Sequence, residues 1–168
     1  MSEITISPVS TRDVRQILAI EAVSFPEPWS ETLLKGEIAM RDTRRYSKAQ
    51  QSKKIVGYLG LMFIDDEAHI NTIATLPAAR GQGIASMLLL DGIDAAIERG
   101  ARQLTLEVAT SNLAAQSLYR RFGLAPVGVR KGYYKGGEDA LVMWCRGIEQ
   151  NDEVSRRAEI AATLGLDR

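Results

Sequence analysis

The sequence has little of what marks secreted, membrane-spanning or nucleic-acid-binding proteins. Its 168 residues include one cysteine, Cys145, so no disulfide can form within the chain, which favours a reducing compartment. No apolar run approaches the roughly 20 residues of a membrane span, and the first residues, MSEITISPVSTRD, lack the pattern of a signal peptide. Basic and acidic residues both number 21, so net charge suggests no polyanionic partner. We expect a soluble cytoplasmic protein that binds neither nucleic acid nor membranes.

The composition is that of an ordinary globular domain. Hydrophobic residues make up 45% of the chain and charged residues 25%, and the length is sufficient for one buried core. We find no internal repeat and no low-complexity segment. The sequence therefore predicts one domain over residues 1–147. Residues 148–168 are predicted to be a tail, either a loosely attached amphipathic helix or a frayed end.

Hydrophobic periodicity predicts strands alternating with helices. The expected strands are EITISPV, two strands in RRYSKAQQSKKIVGYLGLMFI joined by the turn QQSKK, EAHINTIAT, RQLTLEVA, and a hairpin of APVGVRKGYY and EDALVMWCRG around KGG. The expected helices are STRDVRQILAIEAVSF, ETLLKGEIAM capped by Ser30, the segment from Ile84 to Gly100, and SNLAAQSLYRRFG. This alternation predicts a mixed sheet covered on both faces.

The stretch LPAARGQGIASMLLLDGI places glycines where a helix must begin. Backbone N–H groups at a helix start point outward and favour anions, and glycine removes side chains that would keep an anion away. Arg80 adds a charged donor. The stretch therefore indicates a phosphate site, although a tight turn beside an arginine explains it equally well. It is not a Walker motif, because no GK[ST] follows, and it lacks the third glycine of a dinucleotide fingerprint.

Longer segments around this stretch resemble motifs of one protein superfamily. IATLPAARGQGIASMLL followed by LTLEVATSNLAAQSLYRRFGL resembles the GNAT superfamily of acetyl-CoA-dependent N-acetyltransferases, with Arg80, Gly83 and Ala85 in its R/Q-x-x-G-x-G/A motif. SFPEPWSE, LEV, SN, A-x-x-LY, GYY and EDALVM are similar to motifs of the bacterial ribosomal-protein N-terminal alanine acetyltransferases. The resemblance covers residues 3 to about 146. It implies an α/β (α+β) GNAT fold, with a mixed, mostly antiparallel sheet of about seven strands, about four helices on its two faces, and a splay between the fourth and fifth strands.

The resemblance implies direct transfer from acetyl-CoA to a protein N-terminal α-amine, with no metal. The expected acceptor is an N-terminal alanine of a small-subunit ribosomal protein. Cofactor contacts are implied for Ile73, Ala74, Thr75, Arg80, Gly81, Gln82, Gly83, Ile84, Ala85, Ser86 and Asn112. Asn112 also suits a plain helix cap.

The resemblance assigns two catalytic residues. Glu107 alternates out of an apolar strand and is the expected general base. An α-amine with a pKa of about 7.7–8.0 needs only a weak base. Tyr119 is the expected acid that protonates the leaving thiolate, and the alternative is a packing tyrosine with its hydroxyl at the surface.

Four aromatic residues, Phe25, Trp29, Tyr133 and Tyr134, are expected to line a slot for the first residues of the acceptor, with plain aromatic packing as the alternative. The loop YYKGGED is shorter than in many relatives, which bears on the acceptor. His69 is predicted to be structural, because the chain has no second histidine for a metal site. Cys145 is predicted to be a buried strand residue and not a nucleophile.

Two other functions stay open at this point. A lysine ε-amine or a small polyamine could be the acceptor, although a lysine with a pKa near 10.4 costs more to deprotonate. Alternatively, the chain could be a non-catalytic module that binds CoA. The sequence does not predict an oligomeric state.

Overall fold

A computed structural model of the chain describes residues 2–167, which contain seven strands and five α-helices. The strands are β1 Ile4–Pro8, β2 Arg44–Gln51, β3 Lys54–Ile64, β4 Glu67–Thr75, β5 Gln103–Ala109, β6 Ala125–Arg130 and β7 Ala140–Arg146. The helices are α1 Val14–Ser24, α2 Glu31–Ala39, α3 Ile84–Glu98, α4 Leu113–Arg121 and α5 Asn151–Thr163. Short 3₁₀ turns precede α1 at Thr11–Asp13 and α3 at Pro77–Ala79.

The strands form one sheet in the order β1-β2-β3-β4-β5-β7-β6. The pairs β1–β2, β2–β3, β5–β7 and β6–β7 are antiparallel, whereas β4 and β5 are parallel. The parallel register runs from Glu67 opposite Gln103 to His69 opposite Thr105, at the amino-terminal ends of both strands. This is the mixed, mostly antiparallel sheet of seven strands that the sequence predicts. Pairing at the strand starts is also what a splay between the fourth and fifth strands requires.

The chain divides into two compact units, and the first comprises residues up to Met62 together with Asn71–Gly92. Its core is built from α1, α2, β3 and neighbouring strand residues, among them Ile17, Ile20, Leu34, Tyr46 and Tyr58. Residues 55–61 of β3 are all buried, so both faces of that strand are covered, as the sequence pattern predicts.

The second unit comprises Phe63–Ile70 together with residues from Ile93 onward. On β5, Leu104, Leu106 and Val108 are buried while Glu107 is half-buried, which confirms the predicted alternation. Other core residues of this unit come from α4, β7 and the chain beyond it; they include Phe122, Leu124, Met143, Ile148 and Ile160.

Several boundaries differ from the prediction, each for a local reason. The turn between β2 and β3 is Ser52–Lys53 only, because Ser52 takes a positive φ of 56° that closes the hairpin within two residues. Strand β6 ends at Arg130, so GYY lies in the connection to β7 and not in a strand. Asp139 accepts a hydrogen bond from the backbone N–H of Gly132 (2.9 Å), which turns the chain away from the sheet.

The tail contains a fifth helix, α5, where about four helices are expected, and the expected loose attachment is wrong. Ile160 and Ala161 are buried, and Arg157 is 4% exposed while donating a hydrogen bond to the backbone oxygen of Ile148 (2.7 Å). Within residues 2–167, none of the helices combines the length and the apolar character needed to cross a membrane.

Candidate active site

The glycine-rich loop of the first unit connects the 3₁₀ turn after β4 to the start of α3. Gly81 and Gly83 have φ values of +79° and +77°, a region that L side chains rarely adopt. A Cβ added at Gly81 would meet no atom within 4 Å, so the loop is open on that side. Arg80 is exposed next to it. Glycine is therefore needed here for the backbone path and leaves the amides accessible.

These residues fit the diphosphate of CoA. The first N–H groups of α3 have no partner within the helix, and the helix dipole adds partial positive charge at the same end. Ile84 and Ser86 are buried (2% and 5% exposed), whereas Gly81 is exposed and Gly83 and Ala85 are half-buried. The side chain of Gln82 accepts a hydrogen bond from Gln51 Nε2 (3.2 Å), which steadies the loop. An exposed Arg80 completes the donor set.

The strand that leads into this loop alternates in burial. Ala74 is 8% exposed and belongs to the core of the first unit, whereas Ile73 and Thr75 are half-buried. A Cβ at Gly57 would lie 2.9 Å from the Ala74 oxygen and 2.9 Å from Ile84, so this glycine lets β3 lie close both to its neighbouring strand β4 and to the start of α3. Any contact of Ala74 with a cofactor would therefore be through its backbone.

In the second unit, Glu107 lies in a cluster of side chains that can carry positive charge. His69 Nε2 lies 2.5 Å from Glu107 Oε2, and Arg130 Nη1 lies 3.4 Å from Oε1. The parallel register brings His69 opposite Thr105, and Glu107 follows two residues later on the same face of β5. The Glu107 side chain is only 12% exposed. The two atoms are within hydrogen-bond distance, and a His69 tautomer with its proton on Nε2 would donate to the carboxylate.

Tyr119 is buried within the second unit, near the end of α4. Only 6% of the residue is exposed, so its ring is packed inside this unit. Burial, and after it the nearby Tyr134, raises the pKa of Tyr119 above its usual value of 10. The phenol therefore stays protonated throughout the neutral range, as a proton donor must.

The connection from β6 to β7 carries Tyr133 and Tyr134. Their ring centroids are 5.0 Å apart at an interplanar angle of 88°, and the Arg130 guanidinium lies 5.5 Å from the centre of the Tyr133 ring. Tyr133 is 46% exposed. Burial raises the pKa of Tyr134 to about 12. These two tyrosines thus share the surroundings of Glu107.

The other two predicted acceptor contacts, Phe25 and Trp29, lie in the first unit. Both are half-buried and pack against its core, and the Trp29 ring meets the Tyr46 ring edge-on with centroids 6.3 Å apart. Asn112 caps α4, its Oδ1 accepting the Ala115 N–H (3.1 Å), so the alternative reading of a helix cap holds for this residue.

Sequence reasoning missed three residues. His69 and Arg130 adjoin Glu107 because β4 pairs with β5 and because β5 and β6 both pair with β7, which the periodicity of a single strand does not reveal. Glu21 is 1% exposed, and burial raises its pKa. In the sequence, the burial of Glu21 could have been predicted from its helical spacing relative to the apolar Ile17 and Ile20.

Cys145 is buried, as predicted, and burial raises the pKa of its thiol to about 11, which keeps it a poor nucleophile. Within residues 2–167, His, Cys, Asp and Glu do not gather in groups of three or more that could hold a metal ion.

Comparison with known proteins gives concordant matches. The acetyltransferase (GNAT) family matches residues 14–124. The ribosomal protein bS18-alanine N-acetyltransferase of Escherichia coli K12 is 35% identical over 144 residues, covering 83% of this chain and 95% of that protein. A Bacillus subtilis protein provisionally named for the same activity is 38% identical over 133 residues, covering 79% and 88%. The crystal structure of the E. coli ribosomal-protein-S18-alanine N-acetyltransferase superposes with a TM-score of 0.79 at 31% identity, covering 86% of this chain and 94% of that one.

Proposed function

The chain belongs to the acetyltransferase (GNAT) family, and on that basis we propose that it acetylates the N-terminal α-amine of a ribosomal protein that begins with alanine. The acetyl group comes from acetyl-CoA by direct transfer. The observation that carries the proposal is that the second unit contains both a partly buried Glu107 in hydrogen-bond contact with His69 and a buried Tyr119.

The loop from Arg80 to Ser86 is the proposed site for the diphosphate of acetyl-CoA. Support comes from two glycines with positive φ, an exposed arginine and the amino end of a 15-residue helix. Residues 73–75 are the proposed contacts for the pantetheine arm, with Asn112 as a further one. When bound, acetyl-CoA supplies a thioester whose carbonyl carbon is open to attack by an amine.

Glu107 is the proposed general base. It takes a proton from the acceptor ammonium, directly or through water, which frees the amine lone pair to attack. An N-terminal amine with a pKa of about 7.7–8.0 is already partly neutral at physiological pH, so a carboxylate is sufficient. Tyr119 would give its phenolic proton to the sulfur as the C–S bond breaks, and the resulting phenolate would take the second proton from the acylated nitrogen. The products would be the neutral amide and the free thiol of CoA.

His69 and Arg130 are proposed positioning residues for this base. His69 fixes one carboxylate oxygen at 2.5 Å and leaves the other to the weaker 3.4 Å contact with Arg130. The Arg130 side chain is 58% exposed, so it can move aside at little cost when an ammonium arrives. Oε1 is therefore the oxygen that we expect to receive the proton.

The acceptor class follows from the relatives. The Escherichia coli and Bacillus subtilis relatives both carry names for alanine N-acetylation of ribosomal protein bS18, and each is at least 35% identical to this chain over the matched residues. A ribosomal-protein acceptor would place the reaction in the cytoplasm. We further propose that residues 1–147 form the acetyltransferase domain, to which the helix of the tail is added.

The experiment compares kcat/KM for an alanine-first peptide with that for the same peptide blocked at its N-terminus and carrying an internal lysine. We expect the free α-amine to be preferred by at least tenfold, since the lysine amine costs more to deprotonate. Preference for lysine would favour the first alternative. Binding of acetyl-CoA without acetylation of any amine in a broad acceptor screen would favour the CoA-binding module. Newly blocked N-termini in a cell extract, read by mass spectrometry, would then identify the acceptor.

A further inference from the structure

A buried carboxylate that the proposed chemistry does not use lies in the first unit. Glu21, on α1, is 1% exposed, and burial raises its pKa while hydrogen bonds from Trp29 and Thr72 oppose the rise. Burying a carboxylate is costly unless its oxygens are hydrogen-bonded, and an apolar residue of similar size would avoid that cost. The position therefore calls for a reason other than stability.

Glu21 fastens the α1–α2 connection, residues 25–30, at both ends. Its backbone oxygen accepts the Phe25 N–H (3.0 Å), and its side-chain Oε2 accepts the Trp29 N–H (3.2 Å). Oε1 lies 3.4 Å from the hydroxyl of Thr72, which in turn lies 3.0 Å from the hydroxyl of Tyr58. A single residue thus ties the connection to strands β3 and β4.

The connection itself is built to be rigid and exposed. Pro26 and Pro28 fix φ on either side of Glu27, and all three residues are exposed. Val23 and Leu33, which flank the connection in sequence, are 59% and 48% exposed. Anchored aromatic ends and an exposed, stiff middle describe a surface that is ordered before any ligand arrives.

We propose that Glu21 is a positioning residue for the acceptor: its carboxylate holds residues 25–30 as a preformed platform for the first residues of the acceptor polypeptide. This inference rests on the proposed function. Its physical basis is that a platform ordered in advance spares the complex the entropy of ordering it on binding. Loss of the anchor should therefore weaken acceptor binding and leave acetyl-CoA binding as it was.

The test compares three variants of the full-length chain. Glu21→Leu keeps the volume and removes the acceptor oxygens, and Glu21→Gln keeps an oxygen for the Trp29 N–H. Asp13→Asn is the matched control, a buried carboxylate (8% exposed) in the same unit that bonds Ser10 and Lys48 instead. KM is measured separately for acetyl-CoA and for an alanine-first peptide.

A second readout follows the connection without any substrate. The chain has two tryptophans, Trp29 and Trp144, so a Trp144→Phe background leaves Trp29 as the sole indole fluorophore. Acrylamide quenching then reports how accessible Trp29 is. This readout stands whether or not the acceptor has been identified correctly.

We expect Glu21→Leu to raise the peptide KM about tenfold, the loss of a hydrogen bond to a charged group, with acetyl-CoA KM unchanged. Trp29 quenching should increase in the same variant, and Glu21→Gln should recover most of the peptide affinity. Parallel rises in both KM values, or unchanged Trp29 quenching in a folded Glu21→Leu protein, would overturn the inference. If the wild-type protein acetylates no alanine-first peptide, the proposed function fails instead, and quenching still decides whether Glu21 anchors the connection.

Discussion

At the scale of single residues, the candidate site depends on which protons its carboxylates and phenols hold. Glu107 has a basic side chain at each oxygen, His69 at one and Arg130 at the other. Tyr119 is held protonated by burial. The proposed base thus has a basic side chain at each oxygen, whereas the proposed acid is a buried phenol, so different surroundings separate the two roles that acetyl transfer requires.

Replacing Glu107 with Gln should lower kcat about 100-fold or more, the usual contribution of a general base, with little change in acetyl-CoA KM. Gln retains a hydrogen bond with His69 and loses only the basic oxygen. Glu67→Gln is the control, because Glu67 is another half-buried strand glutamate on the same sheet. Steady-state kinetics give kcat and the acetyl-CoA KM of both variants. An equal fall in kcat in both would contradict the role of Glu107 as general base.

His69→Gln should lower kcat less than Glu107→Gln does, by about tenfold, since the base remains and only its orientation is loosened. Arg130→Gln removes the weaker contact and should have the smaller effect of the two. Rates at saturating acetyl-CoA measure both. A loss in His69→Gln as large as that in Glu107→Gln would make the histidine itself a proton carrier.

The buried Glu21 predicts an unusual pH dependence of stability. Its folded-state pKa is raised by burial, so its contribution is fully present below the unfolded pKa of about 4.3 and is lost as pH rises through the folded value. Glu21→Gln does not titrate, so its stability relative to the wild type should improve as pH rises from about 4 to about 7. Urea unfolding at several pH values measures this.

Asp13 is a control whose pKa shift, and hence whose effect on the pH dependence of stability, has the opposite direction to that of Glu21. Burial is the largest single influence and raises its pKa, but the hydrogen bonds with Lys48 and Ser10 and the charge of Lys48 together outweigh burial, so the net pKa is lowered. Its stabilisation is present above the unfolded pKa of about 3.9 and is lost as pH falls through the folded value. The deficit of Asp13→Asn should therefore shrink only in acid. Identical pH profiles for the two variants would contradict both assignments.

At the scale of elements, α3 shows how a helix end becomes a candidate binding site. Its amino end follows Gly81 and Gly83, both in the left-handed region, and its carboxyl end is followed by Gly100 with a φ of +93°. Glycine is required by the backbone at both ends, but only the amino end offers unpaired N–H groups and positive potential. The sequence pattern of glycine, apolar run and glycine contains both ends and does not by itself distinguish their roles.

Gly83→Glu should raise acetyl-CoA KM at least tenfold, because it adds bulk and negative charge beside the proposed diphosphate site. The positive φ also strains any side chain there, so stability should fall as well. Gly100→Glu is the matched control, with similar backbone strain and open space around its Cβ. It should lose stability with acetyl-CoA KM unchanged. A rise in KM for both variants would point to general unfolding.

At the scale of the whole molecule, the tail changes the expected division of the chain. Residues 148–168 are predicted to be an appendage to a domain that ends at 147, yet Ile148, Ile160 and Ala161 are 1%, 4% and 1% exposed. The hydrogen bond from Arg157 to the Ile148 oxygen ties the first turns of α5 to the chain just after β7. The tail thus contributes to the core of the second unit, whatever it adds to function.

Ile160→Ala should cost about 2–4 kcal/mol in the free energy of unfolding, as for other large-to-small changes in a core. Val154→Ala, on the same helix at a residue that is 47% exposed, should stay within about 0.5 kcal/mol. Urea denaturation of both variants gives the comparison. If both variants lose equally little free energy of unfolding, the result would support a loosely attached tail instead.

The sequence by itself determined most of the fold and half of the candidate site. Period-2 and period-3.6 patterns predict the strands and helices because burial on one face leaves a local mark, and the loop at Arg80–Ser86 is contiguous along the chain. The alternation of Leu104, Leu106 and Val108 around Glu107 was readable for the same reason.

Only the tertiary structure decided what depends on contacts between distant segments. The register of β4 with β5 placed His69 against Glu107, the pairing of β6 and β5 with β7 brought Arg130 to its other oxygen, and packing buried Tyr119 and Glu21. Such partners lie tens of residues apart, and a one-residue shift of register would turn each strand side chain to the opposite face. Local sequence patterns carry no information on which register the strands take, because the register depends on how much apolar surface the whole folded chain buries.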